Sequence, residues 1–141
     1  MRMIRLLIDE KAKGKGRPRF TTRGKFVRTY TPKDTLDFCN KVRNSFIETF
    51  GDEYKDYEGA VKIDILCCYS VPKSLSEKKK KQLLYKPFLK KPDNDNIEKS
   101  IMDALNGVAY KDDSQVYENH TIKKYNKDDF IMIEIIYEDL I

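Results

Sequence analysis

Residues 60–71 read AVKIDILCCYSV, and every second position is apolar or aromatic: Val61, Ile63, Ile65, Cys67, Tyr69 and Val71. A period of two places all six on one face of an extended strand. Pro72 follows and has no amide hydrogen with which to continue a ladder. A strand this apolar on one side needs a second layer, so the chain must build a sheet covered by helices. Further strands are expected over residues 3–9 (Ile4, Leu6 and Ile8 alternate), 115–125 and 130–138, with a turn from Asn126 to Asp129 between the last two. Residues 21–30 predict a small hairpin turning at Arg23, Gly24 and Lys25. A helix over 33–50 carries Leu36, Cys39, Val42, Phe46 and Ile47 as its apolar stripe and ends at Gly51. Ser74 with Glu77 fits a capping box opening a short basic helix through Lys78, Lys79, Lys80 and Lys81 to Tyr85. A further helix is predicted over 96–106, with Asp95 as N-cap, Glu98 at the third position and Gly107 past its end. The fold expected is α/β (α+β), a single domain spanning 1–141, with a mixed sheet packed by two main helices.

The balance of charge narrows the partners. Lys and Arg number 28 against 23 Asp and Glu, a net charge of +5, and the pI is near 9.0. That favours polyanions, most often nucleic acid, although a solvated lysine-rich surface accounts for it as well. The three cysteines, Cys39, Cys67 and Cys68, lack metal-ligand spacing and are odd in number. They read as small apolar residues in a reducing compartment. The single histidine, His120, falls in a predicted strand and reads as a half-exposed sheet residue, which leaves no Cys₂His₂ or zinc-protease pattern. The glycines of KAKGKGRPRF lack the Gly-Lys-Ser/Thr ending of a phosphate loop. No apolar run suffices to span a membrane, and MRMIRLLIDE lacks a leader core, so the default location is the cytoplasm.

The chemistry is concentrated in residues 91–116, KPDNDNIEKSIMDALNGVAYKDDSQV. Asp93 and Asp95 lie two apart after Pro92, and on extended backbone they point the same way. Carboxylates this close repel, so a cation or a proton belongs between them. In the helix that follows, Ile97, Ile101, Ala104, Leu105 and Val108 form the core face, while Asp95, Lys99 and Asp103 recur at four-residue spacing outside. Taken alone, that outer row favours an ion-paired solvent face capped by Asp95, but this leaves Asp93 unexplained. Asp112 and Asp113 fit an ordinary Asp-rich turn before Ser114, and periodicity alone does not carry them to Asp93. Were they to meet, the carboxylates would form a hard oxygen site suited to Mg²⁺ or Mn²⁺. Phosphodiester hydrolysis uses such a site, with Lys99 neutralising developing charge.

These residues resemble the RusA family of Holliday junction resolvases, typically encoded by phages and prophages. The resemblance rests on Pro92-Asp93-Asn94-Asp95-Asn96, Lys99, Asp103-Ala104-Leu105-Asn106-Gly107 and Asp112-Asp113-Ser114-Gln115-Val116. Upstream, Gly16-Arg17-Pro18-Arg19-Phe20 and Tyr30-Thr31-Pro32 are also similar to it. Asn94 stands where the family commonly has an apolar residue, and the run of lysines at 78–81 looks added to the family core. The resemblance implies a homodimeric, Mg²⁺-dependent crossover junction endodeoxyribonuclease that nicks opposing strands of four-way DNA in recombination and repair. It implies that Asp93, Asp95 and Asp113 are catalytic metal-binding carboxylates, that Lys99 is the catalytic lysine, and that Asp112 and Asp103 hold further acidic positions, Asp112 as an additional metal ligand. No organic cofactor is expected.

Phosphate contacts are expected from Lys13, Lys15, Arg17, Arg19, Arg23, Lys25 and Arg28, with glycines between them allowing close backbone approach. Phe20 or Tyr30 is a candidate for stacking on an unpaired base, or for anchoring the hairpin. Two related nicks call for two sites about a twofold axis, which a C₂ homodimer supplies. The alternatives are a non-catalytic basic DNA-binding module and a nuclease for other branched DNA.

Overall fold

In the computed structural model the backbone is described for residues 1–15, 19–23, 26–30 and 33–140, and side chains for 1–15 and 33–140. The elements run β1 (Arg2–Ile8), β2 (Arg19–Arg23), β3 (Phe26–Tyr30), α1 (Lys33–Phe50), β4 (Ala60–Ser70), α2 (Glu77–Leu83), α3 (Asn94–Leu105), a short 3-10 turn (Asp113–Gln115), β5 (Val116–Asn126) and β6 (Phe130–Glu138). The main sheet has the order β1-β6-β4-β5. It is mixed: β6 is antiparallel to both β1 and β4, and β5 is parallel to β4. β2 and β3 pair separately, Arg19 opposite Tyr30 and Arg23 opposite Phe26. The expected hairpin is present; its turn residues Gly24 and Lys25 lie outside the described residues.

β4 is the sheet's apolar spine, as the alternation requires. Val61, Ile63, Ile65, Cys67 and Tyr69 are all buried, and Ile63 meets Ile135 while Ile65 meets Ile133 across the ladder. Truncating a buried isoleucine at such a position costs about 2–5 kcal/mol. α1 and α3 cover this face and pack on each other, where Cys39 lies against the buried Ser100 (Sγ to carbonyl oxygen 3.4 Å). These are the two main helices. α2 buries none of its side chains. Among the described residues no helix is long and apolar enough to cross a membrane.

The structure corrects three local expectations. The column that α1 turns inward is Thr35, Phe38, Val42 and Phe46; Leu36 and Ile47 of the expected stripe are 50% and 43% exposed. The sheet and α3 select the i, i+3, i+4 column through Phe38, and Leu36 falls off it. α2 is capped by Ser76, whose hydroxyl accepts from the Lys79 amide at 3.3 Å, and not by Ser74. α3 begins two residues earlier than expected: Asp93 is its N-cap and Asp95 lies in its first turn. The Asn94 amide group donates to the Thr121 carbonyl at 3.0 Å, tying this earlier start to β5. Glu98, expected to complete a capping box, instead accepts from the Thr121 hydroxyl at 2.7 Å.

Candidate metal and nucleic-acid site

The site is built on the crossover between the parallel strands β4 and β5. The chain leaves α2, pairs briefly with the outer edge of β5 through Tyr85, Lys86 and Phe88, and then reaches Pro92. The Lys123 ammonium, from β5, donates to the carbonyls of both Lys90 and Pro92 at 2.8 Å. This cation therefore holds the two peptides that lead into Asp93. Strand alternation gives no hint of that role.

Asp93 has the extended backbone of an N-cap (φ −71°, ψ 151°), yet its side chain makes no cap hydrogen bond. Asp95 is two helical positions on, so the pair does not share one extended face. Both carboxylates stand instead at the positive end of α3, where the unpaired amides ease the repulsion between them. The five apolar residues expected on the core face, Ile97, Ile101, Ala104, Leu105 and Val108, are buried. Asp95, Lys99 and Asp103 are exposed on the opposite face, but they do not form an ion-paired row. Asp103 pairs with Lys15 of the N-terminal strap at 2.8 Å. That ion pair holds the Lys15 ammonium above its usual pKa, through the hydrogen bond first and the charge of Asp103 second.

The strap itself lies over the start of α3. The Lys15 amide donates to the Asn96 carbonyl at 3.1 Å, and the Tyr69 hydroxyl donates to the Ala12 carbonyl at 3.1 Å. Gly14 sits so close that a Cβ there would stand 2.9 Å from Pro92 Cβ and 3.0 Å from Asn96 Cβ. Lys11, Lys13, Lys91 and Asp93 line the resulting shallow groove of about 460 Å³. Of the expected phosphate contacts, Lys13 therefore flanks Asp93, whereas Lys15 is engaged with Asp103. Arg17, Arg19, Arg23, Lys25 and Arg28, with Phe20 and Tyr30, lie outside the residues whose side chains are described.

The second acidic pair divides its labour. Asp112 caps the 3-10 turn: its carboxylate accepts from the Ser114 amide at 3.2 Å and from the Ser114 hydroxyl. Those bonds, the hydroxyl's first, pull its pKa below the ordinary carboxylate value. Gln115 returns the favour to the Asp112 amide and donates to the carbonyls of Tyr57 and Gly59 at 2.7 and 2.9 Å. Asp113 is spared these duties. Its Oδ1 is buried with no hydrogen-bond partner. Its carboxylate lies by the buried Tyr110, whose pKa is raised by burial first, then by the charge of Asp113 and a side-chain hydrogen bond with it, so only Oδ1 is left unpartnered. The Tyr110 hydroxyl donates to the Met102 carbonyl at 3.1 Å, tying the turn to α3.

Asp93, Asp95, Asp113 and Lys99 thus share one property. Among the described residues, Asp93, Asp95 and Lys99 make no side-chain hydrogen bond or ion pair, and Asp113 keeps an orphaned buried oxygen. Glu98, Asp103 and Asp112 around them are all engaged. An oxygen-only donor set with unsatisfied lone pairs fits a hard divalent cation. Among the described residues, though, no three His, Cys, Asp or Glu side chains are gathered closely enough to hold one. His120 lies in β5, as expected, but is exposed there and not half-exposed, 3.1 Å from Glu118.

Comparison with known proteins places the chain. It is similar along 96% of its length to the uncharacterised protein YqaN of Bacillus subtilis (strain 168), with 30% identity and 96% of that protein covered. The family model described as endodeoxyribonuclease RusA matches residues 9–136, from the strap through β6, and the chain belongs to the RusA endodeoxyribonuclease family.

Proposed function

We propose that this protein resolves four-way DNA junctions as a Mg²⁺-dependent homodimer that nicks two opposed strands. The observation that carries the reading is a contrast among the acidic side chains of this segment: Asp93 and Asp95 make no side-chain hydrogen bond and Asp113 keeps one orphaned oxygen, while Glu98, Asp103 and Asp112 are spent on structure. Their membership in a nuclease family supplies the reaction. Asp93, Asp95 and Asp113 would hold the cation, which Mn²⁺ can replace, and Asp112 would steady the turn that presents Asp113. A bound divalent ion there supplies Lewis acidity toward a phosphodiester and a lowered pKa for water.

The chain's own groups do the remaining work. The amino end of α3 favours negative charge beside Asp93 and Asp95. Lys99 lies one turn beyond Asp95 on the exposed face, and its ammonium is available to the phosphate that gains charge during cleavage. Lys11, Lys13 and Lys91 flank Asp93 and hold the adjoining phosphates. Hydrolysis leaves a 5′-phosphate and a 3′-hydroxyl. A synthetic four-way junction incubated with and without Mg²⁺ tests this directly. Paired symmetric nicks that need the metal and vanish in Asp95→Asn are expected; absence of nicking, or full activity in that variant, overturns it.

One observation favours a second reading. The carboxylates do not gather into a three-ligand group among the described residues, which suits a basic module that binds branched DNA without cutting. That reading predicts salt-sensitive junction binding, no heat of Mg²⁺ binding and no cleavage.

A further inference from the structure

α2 is an unusual element for so small a fold. It buries no side chain, yet it holds Lys78, Lys79, Lys80 and Lys81 in succession. Only Lys80 has an ion-pair partner among the described residues, Glu77 at 3.3 Å. Neighbouring like charges on one helix work against it, and among its side chains only Leu83, partly buried, packs against the core. The helix is nevertheless fixed at both ends, by the Ser76 cap and by the Tyr85 amide, which donates to the Tyr125 carbonyl at 3.1 Å.

The chain that leaves α2 has the same character. Tyr85 takes a left-handed backbone (φ +67°) and stays 62% exposed. Lys86, Lys90 and Lys91 are exposed, and Leu89 between them is 88% exposed. Phe88 anchors this segment by stacking on Tyr69, ring centroids 4.0 Å apart, and the Lys123 brace holds Lys90 and Pro92. Beneath α2, Lys73, Lys80, Lys81 and Lys127 line a groove of about 520 Å³. The result is a fixed, lysine-studded rail that runs from α2 to Asp93, with one bare leucine near its catalytic end. From Lys86 to Lys91 it spans at most about 17 Å of extended chain, the axial rise of about five base pairs.

We propose that residues 76–91 form a second nucleic-acid-binding element, which grips the phosphates of one duplex arm and places Leu89 in the base stack at the branch. This rests on the junction-nuclease reading. The chemistry is that of a polyanion: uncompensated ammonium groups on a pre-ordered frame lose little entropy when phosphates displace their counterions. An apolar side chain held out into water, as Leu89 is four residues before Asp93, is of the kind that wedges between bases.

Binding of a labelled four-way junction, without divalent metal and across a salt series, tests the element. In Lys78→Gln/Lys79→Gln/Lys81→Gln the slope of log affinity against log salt should fall by about 3, since each phosphate contact contributes about 0.9. Affinity at low salt should drop at least about tenfold. The melting temperature should hold, because these side chains pack on nothing. In Leu89→Ser the slope should match wild type, while the fluorescence rise of 2-aminopurine placed at the branch should be lost. A wild-type slope in the triple variant overturns the phosphate grip, and an unchanged 2-aminopurine response in Leu89→Ser overturns the wedge. If the wild-type chain neither binds nor nicks junctions, it is the nuclease reading that fails, and this inference falls with it.

Discussion

Two N-caps stand close in sequence in this protein and behave in opposite ways. Asp112 and Asp93 both have extended backbone at the mouth of a helical segment, and both are aspartates. Asp112 turns its carboxylate onto Ser114 and closes a reciprocal box with Gln115. Asp93 turns its carboxylate onto nothing among the described residues. The ordinary gain from a side-chain cap is about 1 kcal/mol, and α3 forgoes it. Its start is secured from outside, by Asn94 on Thr121, Lys123 on Pro92 and the strap at Asn96. Occupying a capping position and performing a capping role are therefore separable.

The comparison can be broken by mutation. The largest effect is expected from Asp93→Asn and Asp95→Asn. Each should lower junction nicking at least about 100-fold, the range seen when one group stabilising a charged transition state is removed. Each should leave the melting curve in place, because neither carboxylate holds the fold together. A marked loss of stability would make Asp93 an ordinary cap. Next comes Lys123→Met, which deprives two carbonyls of a charged donor. It should cost roughly 2 kcal/mol in denaturant unfolding and reduce nicking through misplacement of Asp93, with near-normal junction binding.

Asp112→Ala should act the other way round from Asp93→Asn. It should lower the melting temperature by a few degrees as the box opens, with a smaller fall in nicking. The least effect, and the sharpest, is on pH. The Asp112 carboxylate titrates below its ordinary value when folded, so its contribution is present above the unfolded pKa of about 3.8 and disappears as pH falls through the lower folded value. Melting temperatures of wild type and Asp112→Ala should therefore converge toward acid. Curves that stay parallel would mean that the carboxylate's ionised form is not what holds the turn.

Much of this was legible in the residues. The spine of β4, the core face of α3 and the extents of α1 and β6 follow from periodicity, because one layer of helices covers one face of one sheet. The candidate site was legible as Asp93, Asp95 and Lys99. What was not legible depends on partners far along the chain. The pairing of Asp95 with Glu98 mimics a capping box, and only Thr121, 23 residues past Glu98, shows that Glu98 is otherwise employed. Lys15 reads as one more phosphate ligand among many, and only Asp103, 88 residues away, shows that it is also ion-paired. Lys123 lies in a strand whose alternation is polar enough to hide it.

The strand order carries a last consequence, about timing. β1, the first strand, and β4 both hydrogen-bond to β6, the last, which lies between them. Among the named strands β5 pairs only with β4, and it supplies the anchors of α3. A growing chain can make the acidic segment long before it has anything to seat it on. Until the final strand slides into the centre of the sheet there is no floor beneath the crossover. Pairings so distant in sequence form slowly. A copy without β6 thus keeps these carboxylates but loses the central strand of the sheet that seats them.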